Sequence, residues 1–315
     1  MTYSLNALYR VAHISKQAVW EHFQREETEL ARIRQVMDQV DVRRAAHPGE
    51  GLEKLYWQIR PEGLGRDKFC RVFGALGYGV RRPTYRIRTT IPTQQVFENR
   101  IEGRLVNGPC QVWQSDITYI KIGTRFSYLT FILDVYTRRI VGYAVSHSLR
   151  AEANLEALQM ALDQAAPEAV AGCVHHSDRG SQYTDGRYLQ QLRAAGMSIS
   201  MGKRATENAF VERIHGVIKN EYVLLWAPES YKDLVRYTTQ AVVDYNTTRH
   251  HGALGRRSPY QYEQDYWQLP KAQRPVQMIR SENTPYVSEA RLQNIPVDTL
   301  KKTPYCMVSF NESVI

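Results

Sequence analysis

The chain has 315 residues, of which 43% are apolar and 23% are charged. This composition is that of a folded globular protein, so it excludes a disordered chain, a fibrous chain and a disulfide scaffold. Lysine and arginine together number 41 against 32 acidic residues, and the net charge of +9 favours polyanionic partners, with nucleic acid first among them.

Membrane and secretion signals are absent from the sequence. No apolar run approaches the ~18 residues that a membrane-spanning helix needs, so we expect no association with a membrane. The opening stretch, MTYSLNALYR, lacks the charged and then apolar pattern of a secretion signal. The cysteines lie too far apart for a zinc knuckle or a redox pair, so we expect a reducing, cytoplasmic location.

The first part of the chain has helical periodicity. Residues 4–25 carry apolar side chains near helical spacing, and Ser15 is placed to cap a second short helix, so residues 1–46 predict a helix-turn-helix with a connecting helix over 26–46. A second helix-turn-helix-like domain is predicted at 47–80. Helix pairs of this kind bind DNA in some proteins and only pack in others, and periodicity alone leaves both interpretations open.

A basic linker at 81–107 follows the helical region. Its first half contains two prolines, which discourage regular structure. Four arginines without any neighbouring acid favour phosphate contact over a merely solvated connector, and they are Arg81, Arg82, Arg86 and Arg88.

The sequence becomes β-rich from Val112. Three runs separated by turn residues predict an antiparallel meander, and they are WQSDITYIKI, FSYLTFILDVY and RIVGYAVSHS. Helices and strands then alternate: a helix over 151–166, a strand over 170–176, a helix near 185–195, the strand MSISM and helices over 207–225 and 231–248. This order predicts an α/β core at 108–268, a mixed sheet flanked by helices. The role of a polar tail at 269–315 is not readable from its sequence.

Three carboxylates occupy positions that suggest chemistry. Asp116 lies within a strand, where a carboxylate is costly to bury unless it is paired or metal-bound. Asp178 directly follows a strand, at the end where open sheets present functional side chains. Glu212 lies on a helix that turns its apolar face to the sheet and presents Glu212, His215 and Lys219 on the other face. That face suits a metal beside a phosphate backbone, although the same pattern is typical of a solvated helix surface.

Four ordered motifs resemble a known family. They are WQSDITYI, HHSDRGSQYTD, NAFVERIHGVIKNEY and YNTTRHHGALGRRSPYQY. They resemble the integrase-type core of bacterial insertion-sequence transposases with a DDE triad, most closely the class encoded in the second of two reading frames. The resemblance covers residues 47–262, and ISKQAVW is similar to the helix-turn-helix segment that opens such proteins. It implies a ribonuclease-H-like α/β fold, preceded by small helical helix-turn-helix domains.

The resemblance also implies site residues by their position in the motifs. Asp116, Asp178 and Glu212 fall on the triad, and Lys219 falls on the same helix as a DNA contact. The closing motif contains Tyr245, Asn246, Arg249, His251, Leu254 and Pro259. We predict that His215, Arg249 and His251 also face DNA.

One spacing departs from the family pattern. The family usually has about two more residues between the second aspartate and the glutamate, whereas Glu212 follows Asp178 by 34 positions. The shortening falls within KRATEN and leaves Glu207 as an alternative third acid. Glu207 is the inferior candidate, because it is not followed on the same helix face by Lys219 as Glu212 is.

The implied chemistry is phosphodiester cleavage and strand transfer with two Mg²⁺ ions, for which Mn²⁺ is a substitute. In such reactions the ions activate the attacking oxygen and stabilise the leaving oxygen. Mg²⁺ prefers oxygen ligands and keeps several waters, so three carboxylates and DNA phosphates suffice. His175 and His176 suggest zinc, but neighbours on a strand point to opposite faces, which favours structural roles for both.

These features together favour a transposase that binds element ends, cuts DNA to free a 3′-hydroxyl and joins that hydroxyl to another phosphodiester. Two alternatives stay open: a DNA-binding regulatory protein with a catalytically silent core, and a ribonuclease-H-like nuclease without strand transfer. The expected partners are double-stranded DNA of the terminal repeats and of the target, further copies of the chain on DNA, and the product of an upstream reading frame. The expected location is the bacterial cytoplasm, at the nucleoid.

Overall fold

The computed structural model describes residues 4–80, 97–203 and 205–280, and the chain divides into two compact units, Met1–Arg81 and Arg82–Ile315. Each unit is described by itself. Among the described residues, no helix combines the length and the hydropathy needed to cross a bilayer. The predicted phosphate contacts of the basic linker lie outside the described residues, and they are Arg81, Arg82, Arg86 and Arg88.

The first unit is helical, with α1 (Leu5–Val11), α2 (Lys16–Ala46), α3 (Leu52–Ile59) and α4 (Arg66–Ala75). Ser15 caps α2 as predicted, because its hydroxyl accepts a hydrogen bond of 3.0 Å from the Ala18 amide. The prediction of two separate helices within residues 16–46 is wrong. That stretch contains neither glycine nor proline, so nothing in it interrupts the helix, and α2 runs through.

Packing in this unit is confined to its second half. The core side chains are Val36, Val40, Leu55, Leu64, Phe69 and Phe73. In contrast, Leu8, Val11 and Phe23 are 50%, 79% and 60% exposed. The apolar residues that predicted a packed helix-turn-helix at the start of the chain therefore bury little surface among the described residues.

The second unit is built on a five-stranded sheet of β2 (Val112–Ile122), β3 (Arg125–Asp134), β4 (Ile140–Ser146), β5 (Val174–Ser177) and β6 (Ser198–Met201). The strand order is β4-β3-β2-β5-β6. The first three strands form the predicted antiparallel meander. β5 pairs with β2 in parallel, and β6 pairs with β5 in parallel. This confirms the mixed sheet of a ribonuclease-H-like fold.

Helices cover both faces of the sheet. One face packs against α5 (Ala151–Asp163) and α7 (Gly186–Ala194), and the chain between these helices forms α6 (Pro167–Val170) and β5. The approach of α5 requires glycine at position 142, since a Cβ there would lie 2.1 Å from the Ala157 carbonyl oxygen. The other face packs against α8 (Ala209–Val217) and α10 (Tyr231–Thr247).

The helix that begins with α8 has an irregular middle. It continues as a π-helical turn at Ile218–Val223 and ends in α9 (Leu224–Trp226), which agrees with the predicted helix over 207–225. A further helix, α11 (Pro259–Gln268), was not predicted. Its start carries ordinary signals, because Ser258 caps the helix and Pro259 occupies its first turn.

The core extends beyond the predicted limits of 108 and 268. The short strand β1 (Leu105–Val106) pairs with β7 (Gln277–Met278). β7 lies within residues 269–315, which the sequence analysis predicts to be a tail. Side chains from both flanks join one buried cluster, which includes Ile101, Val106, Tyr136, Tyr262 and Ile279. Residues 97–107 and 269–280 are therefore part of the folded core, and residues 281–315 lie outside the described residues.

Candidate active site

The strand register brings two of the predicted acids together. β2 and β5 pair in parallel up to the partners Ser115 and Ser177. Asp116 directly follows Ser115, and Asp178 directly follows Ser177. Both carboxylates therefore lie at the end of the paired segment of the two neighbouring strands. The Asp178 carboxylate accepts a hydrogen bond of 2.9 Å from the Gly180 amide, which fixes the turn that follows β5.

The third acid is delivered by α8, which is tied to β2 by side-chain hydrogen bonds. The buried Asn208 amide donates to the Ser115 carbonyl oxygen at 3.0 Å. Gln114, also buried, donates to the Glu207 carbonyl oxygen at 3.2 Å and accepts from the Val211 amide at 3.3 Å. These contacts hold the first turn of α8 against the strand that carries Asp116. Sequence reasoning missed both Gln114 and Asn208, although each is a polar residue next to a predicted catalytic segment.

Electrostatics show that the three carboxylates share one environment. Burial raises the pKa of Asp116 well above its ordinary value, and the charges of Asp178 and Glu212 raise it further. The pKa of Glu212 is raised by desolvation and by Asp178. Like charges raise each other's pKa only when they are close, so the structure brings Asp116, Asp178 and Glu212 into one acidic cluster.

Glu207 has a different environment. Its carboxylate accepts hydrogen bonds from the Lys203 amide at 2.7 Å and from the Asn99 side chain at 3.1 Å. These bonds stabilise the short segment before α8, which carries the spacing departure. Glu207 is thus engaged in loop structure, whereas Glu212 faces the aspartates.

His215 is buried rather than DNA-facing, which corrects the expectation from the helical wheel. Its Nδ1 lies 3.5 Å from an Asp116 carboxylate oxygen, and its ring packs 5.6 Å from that of Phe131. Burial, together with the charge of Lys219, lowers the pKa of His215 to about 3, so the imidazole is neutral at pH 7. It lies behind Asp116 and supports that side chain.

Lys219 lies beside the strand just beyond the acidic cluster. Its Nζ is 3.5 Å from the Thr118 hydroxyl and 4.9 Å from the centre of the Tyr119 ring. The side chain is half-buried, and desolvation lowers its pKa. A cation therefore stands two to three residues along β2 from Asp116.

The closing motif is mainly structural. Arg249 is 5% exposed and donates two hydrogen bonds, of 2.9 and 3.1 Å, to the buried Glu221 carboxylate. This buried ion pair corrects the expectation that Arg249 faces DNA. The Asn246 side chain joins α10 to β4 through the Ile140 amide and carbonyl, each at 2.9 Å. His251 packs edge-on against Tyr245 and keeps part of its surface exposed.

His175 and His176 point to opposite faces of β5, as predicted. His175 Nε2 is 2.9 Å from the Tyr188 hydroxyl, and His176 Nδ1 is 2.8 Å from the Ser200 hydroxyl. Burial lowers their pKa values to about 3 and about 4. Both rings are neutral parts of the core beneath the acidic cluster.

The donor chemistry of the cluster suits magnesium. Among the described residues, no three His, Cys, Asp or Glu side chains converge tightly enough to hold a single ion by themselves. Mg²⁺ does not require that, because it is bound through one or two carboxylates and completes its shell with waters and substrate phosphates. Asp116, whose pKa is raised by burial and by the charges of Asp178 and Glu212, belongs to a set of carboxylates that would supply oxygen ligands to such an ion.

Comparisons with known proteins agree with this architecture. Two family models, each described as an integrase core domain, match residues 106–206 and 195–259. The chain is 33% identical over 228 residues to the transposase for insertion sequence element IS629 of Shigella sonnei, which covers 70% of this chain and 76% of that protein. It is 31% identical over 213 residues to transposase InsF for insertion sequence IS3A of Escherichia coli K12, covering 65% and 68%.

Solved structures with a similar fold come from retroviruses. The catalytic core domain of HTLV-2 integrase in complex with magnesium is 17% identical, with a TM-score of 0.40, and the match covers 50% of this chain and 97% of that one. A chain of the simian T-cell lymphotropic virus intasome in complex with PP2A regulatory subunit B56 gamma is 16% identical, with a TM-score of 0.45, and covers 76% of each.

Proposed function

The chain belongs to the bacterial insertion-sequence transposases with an integrase core, and from that premise we propose that it binds the ends of an insertion sequence and catalyses metal-dependent cleavage and joining of DNA strands. The observation that supports this most strongly is the acidic cluster. Asp116 and Asp178 directly follow the last paired residues of β2 and β5, and the charges of Asp178 and Glu212 act on Asp116.

Asp116, Asp178 and Glu212 would hold two Mg²⁺ ions, or Mn²⁺ in their place. When bound, these ions supply the charge that activates an attacking water or 3′-hydroxyl and stabilises the leaving oxygen of the phosphodiester. His215 keeps Asp116 oriented from behind and, being neutral, brings no competing positive charge. Gln114 and Asn208 hold Glu212 in place by fixing the start of α8.

Lys219 supplies the cation that positions DNA. It contacts β2 at Thr118, two residues beyond Asp116 and past the end of the pairing with β5, where we expect a phosphate bound at the acidic cluster to pass. A positively charged side chain there offsets the repulsion between DNA and three carboxylates. His251, partly exposed, stays a predicted DNA contact, as do the four linker arginines. We further propose that copies of the chain assemble on paired ends, together with the product of an upstream reading frame.

The test is a strand-joining assay with the intact chain, using labelled duplexes whose sequences flank its coding region, a supercoiled target plasmid, and Mg²⁺. Transposase function predicts 3′-end cleavage and joined product, both lost in EDTA and in Asp178→Asn. Asp178→Asn should still bind the duplex, because it lacks a metal ligand and not a phosphate contact. Adding the upstream-frame product, in a parallel reaction, tests whether paired-end joining depends on it.

The other outcomes of the same assay would each refute the proposal. Cleavage without joining would identify a nuclease. Binding of the duplexes with neither cleavage nor joining, in either metal, would identify a regulatory protein with a silent core. Activity retained in Asp178→Asn would remove that residue from the metal site.

A further inference from the structure

The outer end of the β2–β3 hairpin carries aromatic side chains on the face of the sheet that α5 covers further in. The antiparallel register pairs Tyr119 with Tyr128 and Lys121 with Phe126. Residues directly opposite each other, or two apart on one strand, project to the same face, so these four side chains form one surface. We call the three rings of Tyr119, Phe126 and Tyr128 the hairpin platform.

The hairpin platform is accessible to a ligand. Phe126 is 41% exposed, and Tyr119 and Tyr128 are half-buried. The rings of Tyr119 and Phe126 meet edge to face, 5.5 Å apart and at 83°. One row further in, the Thr130 hydroxyl bonds the Asn154 side chain of α5 at 2.9 Å, so helix coverage begins just inside the platform.

The charged side chains of the hairpin between Asp116 and Asp134 have one sign. The hairpin contains no acid between Asp116 and Asp134, and it carries Lys121 and Arg125, both exposed. Lys219 adds a third cation, with its Nζ 4.9 Å from the centre of the Tyr119 ring. Aromatic faces with cations beside them and no acid suit bases joined by phosphates.

The platform is continuous with the acidic cluster around a free strand edge. β5 pairs with β2 only as far as Ser115, so within residues 97–203 and 205–280 no strand lies beside the edge of β2 from Asp116 onward on that side. Thr118 and Tyr119 project to opposite faces, yet Lys219 contacts both, so its side chain reaches around this edge. Asp116 and Tyr119 are three residues, or about 10 Å of strand, apart, which is the length of roughly three stacked nucleotides. Because the two side chains project to opposite faces, a DNA strand that links them must also turn around this edge, as the Lys219 side chain does.

We propose that the hairpin platform stacks an unpaired base of the DNA end, within about three nucleotides of the phosphate at the acidic cluster, while Lys121 and Lys219 contact the neighbouring phosphates. The inference rests on the proposed function and adds a binding site to it. Stacking on the platform would hold the end frayed, with its terminal bases apart from the complementary strand. The hairpin platform would therefore bind single-stranded rather than duplex DNA.

The test measures base stacking without catalysis. Intact protein in EDTA is titrated into element-end DNA that carries 2-aminopurine at each of the terminal positions in turn, either fully paired or with three unpaired terminal nucleotides. The wild type should quench 2-aminopurine at one unpaired position. Phe126→Ala should abolish that quenching and weaken binding of the frayed end about tenfold, with less than about twofold effect on the paired duplex. Tyr119→Leu should act in the same direction.

Trp267→Ala provides the matched control, because Trp267 is also an exposed aromatic residue, 58% exposed on α11. It should leave quenching and affinity unchanged. Lys121→Ala should flatten the salt dependence of frayed-end binding by about 0.7 units of log-log slope, the value for one phosphate contact on a single strand.

Two results would overturn the inference while leaving the proposed function intact. In the first, Phe126→Ala joins DNA ends and still quenches 2-aminopurine at the wild-type position. In the second, Phe126→Ala changes the oligomeric mass in light scattering but not the quenching, which would make the platform a protein contact. If the wild type neither binds nor joins the ends, the proposed function fails instead.

Discussion

Three buried histidines make the catalytic unit sensitive to mild acid. Burial lowers the pKa of His175 to about 3, of His176 to about 4 and of His215 to about 3. In the unfolded chain each would titrate near its ordinary pKa of about 6.5. Below that pH the unfolded chain binds protons that the folded chain does not, so the free energy of unfolding must fall as pH falls.

The size of the effect follows from these values. Between pH 7.5 and 5.5 each histidine contributes about 1.4 kcal/mol of lost stability, because both pH values lie above its folded-state pKa. Three histidines together predict a loss of about 4 kcal/mol. Asp116 acts in the opposite direction, since an acid whose pKa is raised by folding stabilises the folded state as pH falls through that pKa. Glu212 and Asp134, whose pKa values are also raised in the folded chain, act in the same direction as Asp116. The measurement is therefore made in Asp116→Asn, which removes the contribution of the acid whose pKa is raised most strongly.

Urea unfolding followed by tryptophan fluorescence at pH 7.5, 6.5 and 5.5 provides the measurement, with Trp113 as a buried reporter. His176→Gln in the Asp116→Asn background should reduce the pH dependence by about one third. His147→Gln is the matched control, because that side chain lies at the surface, and it should leave the dependence unchanged. An unfolding free energy that stays constant within about 1 kcal/mol from pH 7.5 to 5.5 would refute the reasoning.

Three further predictions concern the acids and the cations of the site. Glu212→Gln should abolish cleavage and joining while Glu207→Gln remains active; the reverse result would exchange their roles. Arg249→Met should lower the free energy of unfolding by about 3 to 5 kcal/mol, because it leaves Glu221 buried without its partner, yet the salt dependence of DNA binding should not change; a flattened dependence would return Arg249 to the DNA surface. Lys219→Ala should slow joining in stopped-flow or gel assays with little change in urea midpoint, and a wild-type rate at matched salt would show that this helix face does not meet DNA.

Much of the fold was predictable because it follows local periodicity. The three strands of the meander have turn residues between them, and α5 and α10 have clean apolar stripes. The continuity of α2 is also encoded, in the absence of any glycine or proline between Lys16 and Ala46, although the sequence analysis predicted a short helix followed by a connecting helix. The pairing of β1 with β7 could not be predicted, because strands of two residues show no periodicity and these two lie far apart in the sequence.

The site, like the fold, has features that the sequence predicts and features that it does not. That Asp178 directly follows a strand was predicted from the sequence, whereas the parallel register that sets it beside Asp116 in the middle of β2 is given by the structure. The burial of His215 was not predictable from a helical wheel, which sorts residues by polarity and places it with Glu212 and Lys219. In the structure that stripe lies over the edge of β2, so its middle residue is covered by Asp116 and Phe131 while its ends reach solvent.

Holding the acidic cluster together costs free energy, because three carboxylates repel one another and Asp116 is desolvated by burial. The contacts made by Gln114 and Asn208 offset part of this cost. Three hydrogen bonds join β2 to the start of α8, and at about 1 kcal/mol net for each they contribute about 3 kcal/mol toward holding Glu212 beside the aspartates. Because both side chains are buried, losing either would leave a buried polar group unpaired and cost more than the bond itself. The fold thus holds like charges together by neutral contacts on the side away from solvent, and leaves the open side accessible to cations, whose positive charge would offset that of the carboxylates.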